Sequence, residues 1–368
     1  MIEELNELVE ISRHYGKNPE YVLAGGGNTS YKNQKHLWIK ASGTSLGAIS
    51  LEGFVQMDRQ RLQALSEKQF SNDPLKRESE IIKELYECVA IPSDLRPSVE
   101  TSLHNLLDFK FVVHTHPTLV NGLMCGQNSK IATKELFGDA VLFVEYCDPG
   151  FTLFKLVEKK ISEYKNKFGK EPQIVFLENH GVFVSANSIE EIKALYATIF
   201  ETLKTKIEFP LPSPALLPCD LSDLTKILAQ KTKLIAMEFN SKLINEFVKN
   251  KESFNQANTA FSPDNIVYCK ANYAYSEASA EKLLNSVTAF EKKYSYLPKV
   301  IAIENLGLIC LEESAISVKT VFDVYIDLLK ISFYSRNFSG PRFLNSSQIE
   351  FIDNWEVENY RRKIAKKD

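Results

Sequence analysis

A chain of 368 residues, 44% hydrophobic and 25% charged, can bury the cores of two ordinary domains, so it needs neither disulfides nor a structural metal to stay folded. Its net charge of −3, with both signs interspersed, gives no footprint for nucleic acid. Six cysteines without a Cys-x-x-Cys pair argue against a zinc ribbon and fit reduced thiols, and no apolar run reaches the length of a membrane span, so a cytoplasmic protein without a membrane partner is expected.

The chain begins with IEELNELVEISRHYG, whose acidic, amphipathic pattern predicts a surface helix rather than a signal core. The run Gly25-Gly-Gly-Asn-Thr-Ser30 follows. It has neither the Gly-Lys-Ser/Thr of a P-loop nor the spaced glycines of a dinucleotide fingerprint. Consecutive glycines permit positive φ and bring bare N–H groups near a ligand, while Asn28, Thr29 and Ser30 add short donors. The run therefore reads equally as an anion-holding loop or as a hairpin turn. HLWIKA, FKFVVHTH, AVLFVEY and QIVFLENHG are short apolar runs that predict strands. Between them ESEIIKELYECVA places Ile81, Ile82, Leu85 and Val89 on one helical face.

Four prolines in IEFPLPSPALLPCD forbid a helix interior or central strand, which makes residues 207–220 a linker. Beyond it the sequence repeats itself. The segment from Pro172, containing Glu-Asn-His-Gly, aligns without a gap on the segment from Pro298, containing Glu-Asn-Leu-Gly. More loosely, IVYCKANY near Tyr268 echoes LWIKASGT near Trp38. Two related α/β units are implied, the second abbreviated. His180 of the first copy is Leu306 in the second, and no histidine follows His180.

His114 and His116 stand two apart at the end of a β-branched run, a spacing that puts both imidazoles on one face of a strand about 7 Å apart. His180 ends another apolar run, and Gly181 after it allows a sharp turn. Three neutral imidazoles with an open fourth position suit a catalytic zinc, although His-x-His alone also fits strand-end histidines bonded to backbone. In RPSVETSLHNLL, Pro97 and Ser98 read as a helix start with Ser98 as N-cap, and Glu100 lies in the first turn. The same start exposes N–H groups to an anion. Glu100 and His104 share a helical face, Glu100 as ligand or proton carrier and His104 as support or packing. A carboxylate beside an open metal position suits proton transfer next to a carbonyl.

Taken as an ordered set, GGGNTS, IKASGTSLG, RPSVETSLH, VVHTHP, EYCDPG and LENHG resemble the class II aldolase/adducin family. With FSPDNIVY, ENLGL and DNWEVENYRRK, the spacing is most similar to the aldolase portion of bifunctional rhamnulose-1-phosphate aldolase/alcohol dehydrogenases. The resemblance implies a three-layer α/β unit, a central and mainly antiparallel sheet flanked by helices, followed by the second, abbreviated α/β unit. It divides the chain into a catalytic domain at 1–206, the linker at 207–220, a degenerate repeat without metal ligands at 221–346, and a C-terminal helix and basic tail at 347–368.

It also implies that His114, His116 and His180 bind Zn²⁺ or another divalent transition metal, that Glu100 is the catalytic acid/base, and that Gly27, Asn28, Ser42, Gly43 and Ser98 cradle phosphate. Val99 departs from the family, where fuculose-phosphate aldolases carry a second serine. The implied activity is cleavage of a ketose 1-phosphate, such as rhamnulose 1-phosphate, to dihydroxyacetone phosphate and a short aldehyde. Dehydratases, epimerases and decarboxylases share these ligands, and adducin-like members are non-catalytic. Related aldolases often form tetramers with a tyrosine reaching in from a neighbouring subunit, so a homo-oligomer is an expectation. No nucleotide-binding part follows YRRKIAKKD, so no NAD chemistry is expected.

Overall fold

The structure, a computed structural model, describes residues 2–355; most of DNWEVENYRRK and the basic stretch YRRKIAKKD lie outside the described residues. The chain forms two units, the first built mainly of residues up to Lys206 and the second mainly of residues 207–353. Residues 207–220 contain no helix or strand, and their one ladder contact is an isolated bridge from Leu216 to Ser241.

The first unit holds seven strands: β1 (Asn28–Lys32), β2 (His36–Lys40), β3 (Phe54–Asp58), β4 (Phe111–Thr115), β5 (Leu142–Val144), β6 (Ile174–Leu177) and β7 (Gly181–Ala186). They form one sheet in the order β3-β2-β1-β4-β7-β6-β5. Every pairing is antiparallel except β5 with β6. β4 is therefore interior, with β1 and β7 beside it, and all five of its residues are buried. One face of the sheet is covered by the helices Arg59–Ser66, Pro74–Glu87, Thr101–Leu106 and Phe151–Phe168, whose Leu62, Ile81, Leu85, Leu103, Phe154 and Val157 fill the core against sheet residues such as Ile39, Val55, Val112 and Val175. The helices Ile2–Gly16 and Ile189–Lys204 pack on the other side against β1, β4 and β7. Burial of each such Leu, Ile or Phe stabilises the unit by about 1.5–3 kcal/mol, which holds the sheet without any cross-link.

Three local expectations change. The glycine run is not a hairpin turn, because it enters β1 from the loop after the helix Ile2–Gly16. The helix after RPSVE starts at Thr101 with Glu100 as N-cap; Ser98 Oγ instead accepts the Glu100 N–H at 3.2 Å and its carbonyl accepts the Thr101 N–H, forming a turn ahead of the helix. The echo between IVYC and LWIK has no structural counterpart, since Tyr268 lies in the helix Pro263–Cys269 and Trp38 in β2.

The second unit has a four-stranded sheet of β8 (Ile235–Phe239), β9 (Ala274–Ser276), β10 (Val300–Ile303) and β11 (Gly307–Glu312), in the order β8-β11-β10-β9. Helices Ser222–Thr232 and Ala280–Tyr294 share a core cluster with Ile301, Ile303, Ile309 and Leu311, and the helix Ala315–Ser335 also packs on the sheet. Its strand order and senses match β4-β7-β6-β5 of the first unit, including the single parallel pair. Asn179 and Asn305 both adopt left-handed backbone, at φ 55 and 59, and Ser188 and Ser314 cap the following helices at the same φ −138 and ψ 158.

Candidate functional site

β4 delivers His114 as its fourth residue, wholly buried, and His116 one residue beyond the strand end. His180 comes from the tight turn between β6 and β7, which brings it back alongside because β7 pairs with β4. No side chain fits at Gly181: a Cβ there would lie 2.5 Å from the Thr115 carbonyl oxygen and 2.8 Å from His116 Cδ2. The three rings converge, with centroids 4.8 Å apart for His114 and His116 and 5.1 Å for each of the other pairs. Their candidate ligand nitrogens all lie within 4.8 Å of one another.

His114 is held in one tautomer. Its Nδ1–H donates to the Val182 carbonyl at 3.0 Å and its ring stacks on Phe183, which leaves the Nε2 lone pair facing the other two rings. Burial drives its pKa down to about 3 against the opposing pull of Glu100, so it is neutral at physiological pH, as a metal ligand must be. The Nε2 atoms of His114 and His116 stand 3.0 Å apart. Two nitrogens each about 2.0–2.1 Å from a tetrahedral ion would be separated by about 3.3 Å, so the donors fit with a small adjustment.

Glu100 completes the cluster. Its Oε1 is buried, lies 3.4 Å from His114 Nε2 and 3.5 Å from His180 Nε2, and has no hydrogen-bond partner among the described residues. A buried carboxylate oxygen without a donor costs several kcal/mol unless a cation or ligand compensates it. Burial raises the Glu100 pKa, and against it the hydrogen bond from Asn28 Nδ2, together with whatever positive charge the facing imidazoles carry, pulls the carboxyl below the usual range. An ionised carboxylate and three imidazoles on one point make a donor set that could hold a divalent ion.

The matching family pattern is that of the Class II Aldolase and Adducin N-terminal domain, which covers residues 6–207. The chain belongs to the class II aldolase/adducin family. It is 28% identical over 187 residues to the uncharacterized oxidoreductase YuxG of Bacillus subtilis (strain 168), a match covering 48% of this chain and 26% of that protein; the chain thus spans about a quarter of that relative's length. The N-terminal class II aldolase domain of a conserved Thermoplasma acidophilum protein is 28% identical, with 55% of this chain and 92% of that chain covered and a TM-score of 0.47. For the L-fuculose-1-phosphate aldolase of Thermus thermophilus the identity is 15%, the coverage 56% and 94%, and the TM-score 0.37.

In this class II aldolase/adducin domain, Asn28 lies at the start of β1, opposite His114 on β4. Its side chain is engaged at both ends: Nδ2 donates one of its two hydrogens to Glu100 Oε2 at 2.5 Å, and Oδ1 faces His104 Nε2 in a short hydrogen bond. The amide expected in a phosphate cradle is thus joined to the carboxylate. His104 is fully buried, and its Nδ1 is 2.7 Å from Ser30 Oγ. The sequence gives no sign of this connection, because Asn28 and His104 are brought together only by the pairing of β1 with β4 and the packing of the helix Thr101–Leu106.

The other loop residues lie where the chain turns. Gly27 has φ +64, and a Cβ there would come within 2.9 Å of the His114 carbonyl oxygen, so only glycine lets the loop run this close to β4. Ser42 and Gly43 form the turn after β2, and the Ser42 N–H donates to the Arg96 carbonyl at 2.8 Å, tying that turn to the segment containing Ser98. Ser98 is buried, with its Oγ on the Glu100 N–H at 3.2 Å. Among the described residues no helix is long and apolar enough to cross a membrane.

Proposed function

We propose that the first unit is a zinc-dependent aldolase that cleaves a ketose 1-phosphate of the rhamnulose 1-phosphate kind to dihydroxyacetone phosphate and a short aldehyde. The observation that carries this reading is Glu100 Oε1, a buried carboxylate oxygen without a hydrogen-bond donor among the described residues, facing His114 and His180. On this reading His114, His116 and His180 hold the ion, which when bound supplies Lewis-acid polarisation of the substrate carbonyl. Glu100 moves the proton. Held ionised, it enters as a base, takes the C4 hydroxyl proton as the C3–C4 bond breaks, and returns a proton to C3 of the three-carbon product. Gly27, Asn28, Ser42, Gly43 and Ser98 hold the phosphate, so that the reacting carbons are positioned by binding energy remote from the broken bond. The second unit acts through packing, as a diverged copy without metal ligands.

A coupled assay for dihydroxyacetone phosphate, run on rhamnulose 1-phosphate, fuculose 1-phosphate and the free ketoses, tests the proposal. Product is expected from a ketose 1-phosphate and far less from its unphosphorylated form. Equal rates with and without phosphate would refute the cradle, and no product from any ketose 1-phosphate would move the assignment to dehydration, epimerisation, decarboxylation or binding within the family.

A further inference from the structure

The chain of hydrogen bonds behind Glu100 has a direction, and the chemistry of its members sets it. The Asn28 amide presents its NH₂ to Glu100, Nδ2 lying 2.5 Å from Oε2. Asn28 Oδ1 is then the atom facing His104, and His104 Nε2 must carry a proton to donate to it. His104 is wholly buried, which pushes its pKa well below the ordinary value and keeps it neutral, so Nδ1 carries no proton and accepts from the Ser30 hydroxyl at 2.7 Å. Both ring nitrogens are thereby used, and neither is left for a metal or substrate. The relay runs one way, from Ser30 through His104 and Asn28 to Glu100.

We infer that His104 is a positioning residue: kept as the Nε2–H tautomer by Ser30, it fixes the Asn28 amide so that its NH₂ holds Glu100 Oε2 and leaves Oε1 turned toward the histidines. A flipped amide would put its NH₂ against the His104 N–H and its oxygen against the carboxylate, two repulsions at once. Without His104 the amide would lose the partner that tells its two ends apart, and Glu100 would sample positions in which Oε1 no longer faces the reacting atoms. This role rests on the aldolase reading of Glu100, but the tautomer does not.

Two measurements on the full chain test it. In ¹⁵N–¹H correlation spectra of the imidazoles, recorded without metal from pH 6 to 8, His104 is expected as the Nε2–H tautomer throughout; an Nδ1–H tautomer or an imidazolium would overturn the inference. The second compares His104→Gln, which keeps a donor near the Nε2 position, with His104→Asn, which reaches only the Nδ1 position and so loses the bond to Asn28. With dihydroxyacetone phosphate in deuterated water as the probe, His104→Gln should keep most of the hydrogen exchange at C3. His104→Asn should lose kcat by about tenfold to a hundredfold, as expected for a lost bond that orients a charged group, with KM and bound metal within about twofold of wild type. Equal losses in the two variants, or a loss expressed in KM or metal content, would overturn the role. If wild type itself exchanges no hydrogen, the aldolase reading fails, and the tautomer measurement still decides whether the relay exists. Variants that do not fold leave the decision to the same spectra of the unmodified protein.

Discussion

Lys32 ends β1, the strand that starts at Asn28 and carries Ser30, and it offers a quantitative test of how this part of the molecule is packed. The residue is 3% exposed, and its Nζ donates to the Leu107 carbonyl in a short hydrogen bond. Burial, reinforced by the Arg59 guanidinium, pulls its pKa from the ordinary 10.5 down to about 7, with Asp108 and Glu171 opposing. The unfolded chain keeps this proton up to pH 10.5 while the folded chain releases it near 7, so between these values the unfolded state binds more protons and stability rises with pH. Below pH 7 both states are protonated and the penalty of a buried ammonium is present in full. Integrating one site from pH 7 to 9 gives a gain of about 2 kcal/mol. Buried tyrosines and cysteines also titrate, so the quantity to measure is the difference between wild type and Lys32→Met in urea unfolding at pH 7, 8 and 9, followed by tryptophan fluorescence. Wild type should gain on the variant by about 2 kcal/mol across that range, whatever the offset at pH 7. A gap that does not move with pH would mean that the ammonium is solvated or paired, and that β1 is not anchored as described.

The remaining expectations concern the centre itself. The protein purified without chelator should carry about one divalent ion per chain, zinc by its imidazole donors, and His180→Ala should carry none by elemental analysis. Undiminished metal in that variant would place the ion elsewhere. Glu100→Gln should retain metal and substrate binding but lose roughly a hundredfold or more in turnover, because the change removes the proton carrier and little volume. Solvent deuterium entering dihydroxyacetone phosphate at the wild-type rate in Glu100→Gln would assign the base to another group.

The strand-end histidines and the Glu-Asn-x-Gly turns were legible because each ends an apolar run with a polar or glycine break, and Glu100 because it follows the Pro97-Ser98 helix start. The three-layer unit with its central, mainly antiparallel sheet was likewise expected and is what the chain forms. What the sequence concealed is set by strand pairing. Nothing local distinguishes Lys32 from the many solvated lysines at strand ends, yet the packing of β1 under the helix Thr101–Leu106 leaves it only 3% exposed. Asn28 sits in a run of small polar residues that reads as an anion loop, and only its place opposite His114 turns its amide toward Glu100. The helix boundary moved for a related reason. Ser98 has the side chain of a cap, but its Oγ is taken by the Glu100 N–H in a turn before the helix, which puts Glu100 at the cap position where its carboxylate faces inward.

The sequence repeat was visible only from Pro172 and Pro298 onward, but strand register carries it further back. In the first unit His114 pairs with Phe183 across β4 and β7; at the aligned position of the second, Glu238 pairs with Ile309 across β8 and β11. The residues standing where His114, His116 and His180 stand are therefore Glu238, Asn240 and Leu306. All three differ, and Glu238 accepts instead from Thr225 Oγ1 at 3.0 Å. Among the described residues the strands β1 to β3 have no counterpart in the sheet of the second unit, and none of these residues occupies the place of Asn28. Leu306→His alone should consequently add no second metal ion, because one imidazole beside a carboxylate already bonded to threonine lacks the donors for tight binding. Replacing all three, Glu238→His with Asn240→His and Leu306→His, should add about one zinc per chain by elemental analysis, since the left-handed Asn305 and the following Gly307 reproduce the turn that carries His180. A second zinc, in the single variant or in the unmodified chain, would show that the second unit retains a metal site. A triple variant that folds and still binds one ion would show that matching strand register is not enough, and that β1 with Asn28 is needed to bring three imidazoles onto one metal.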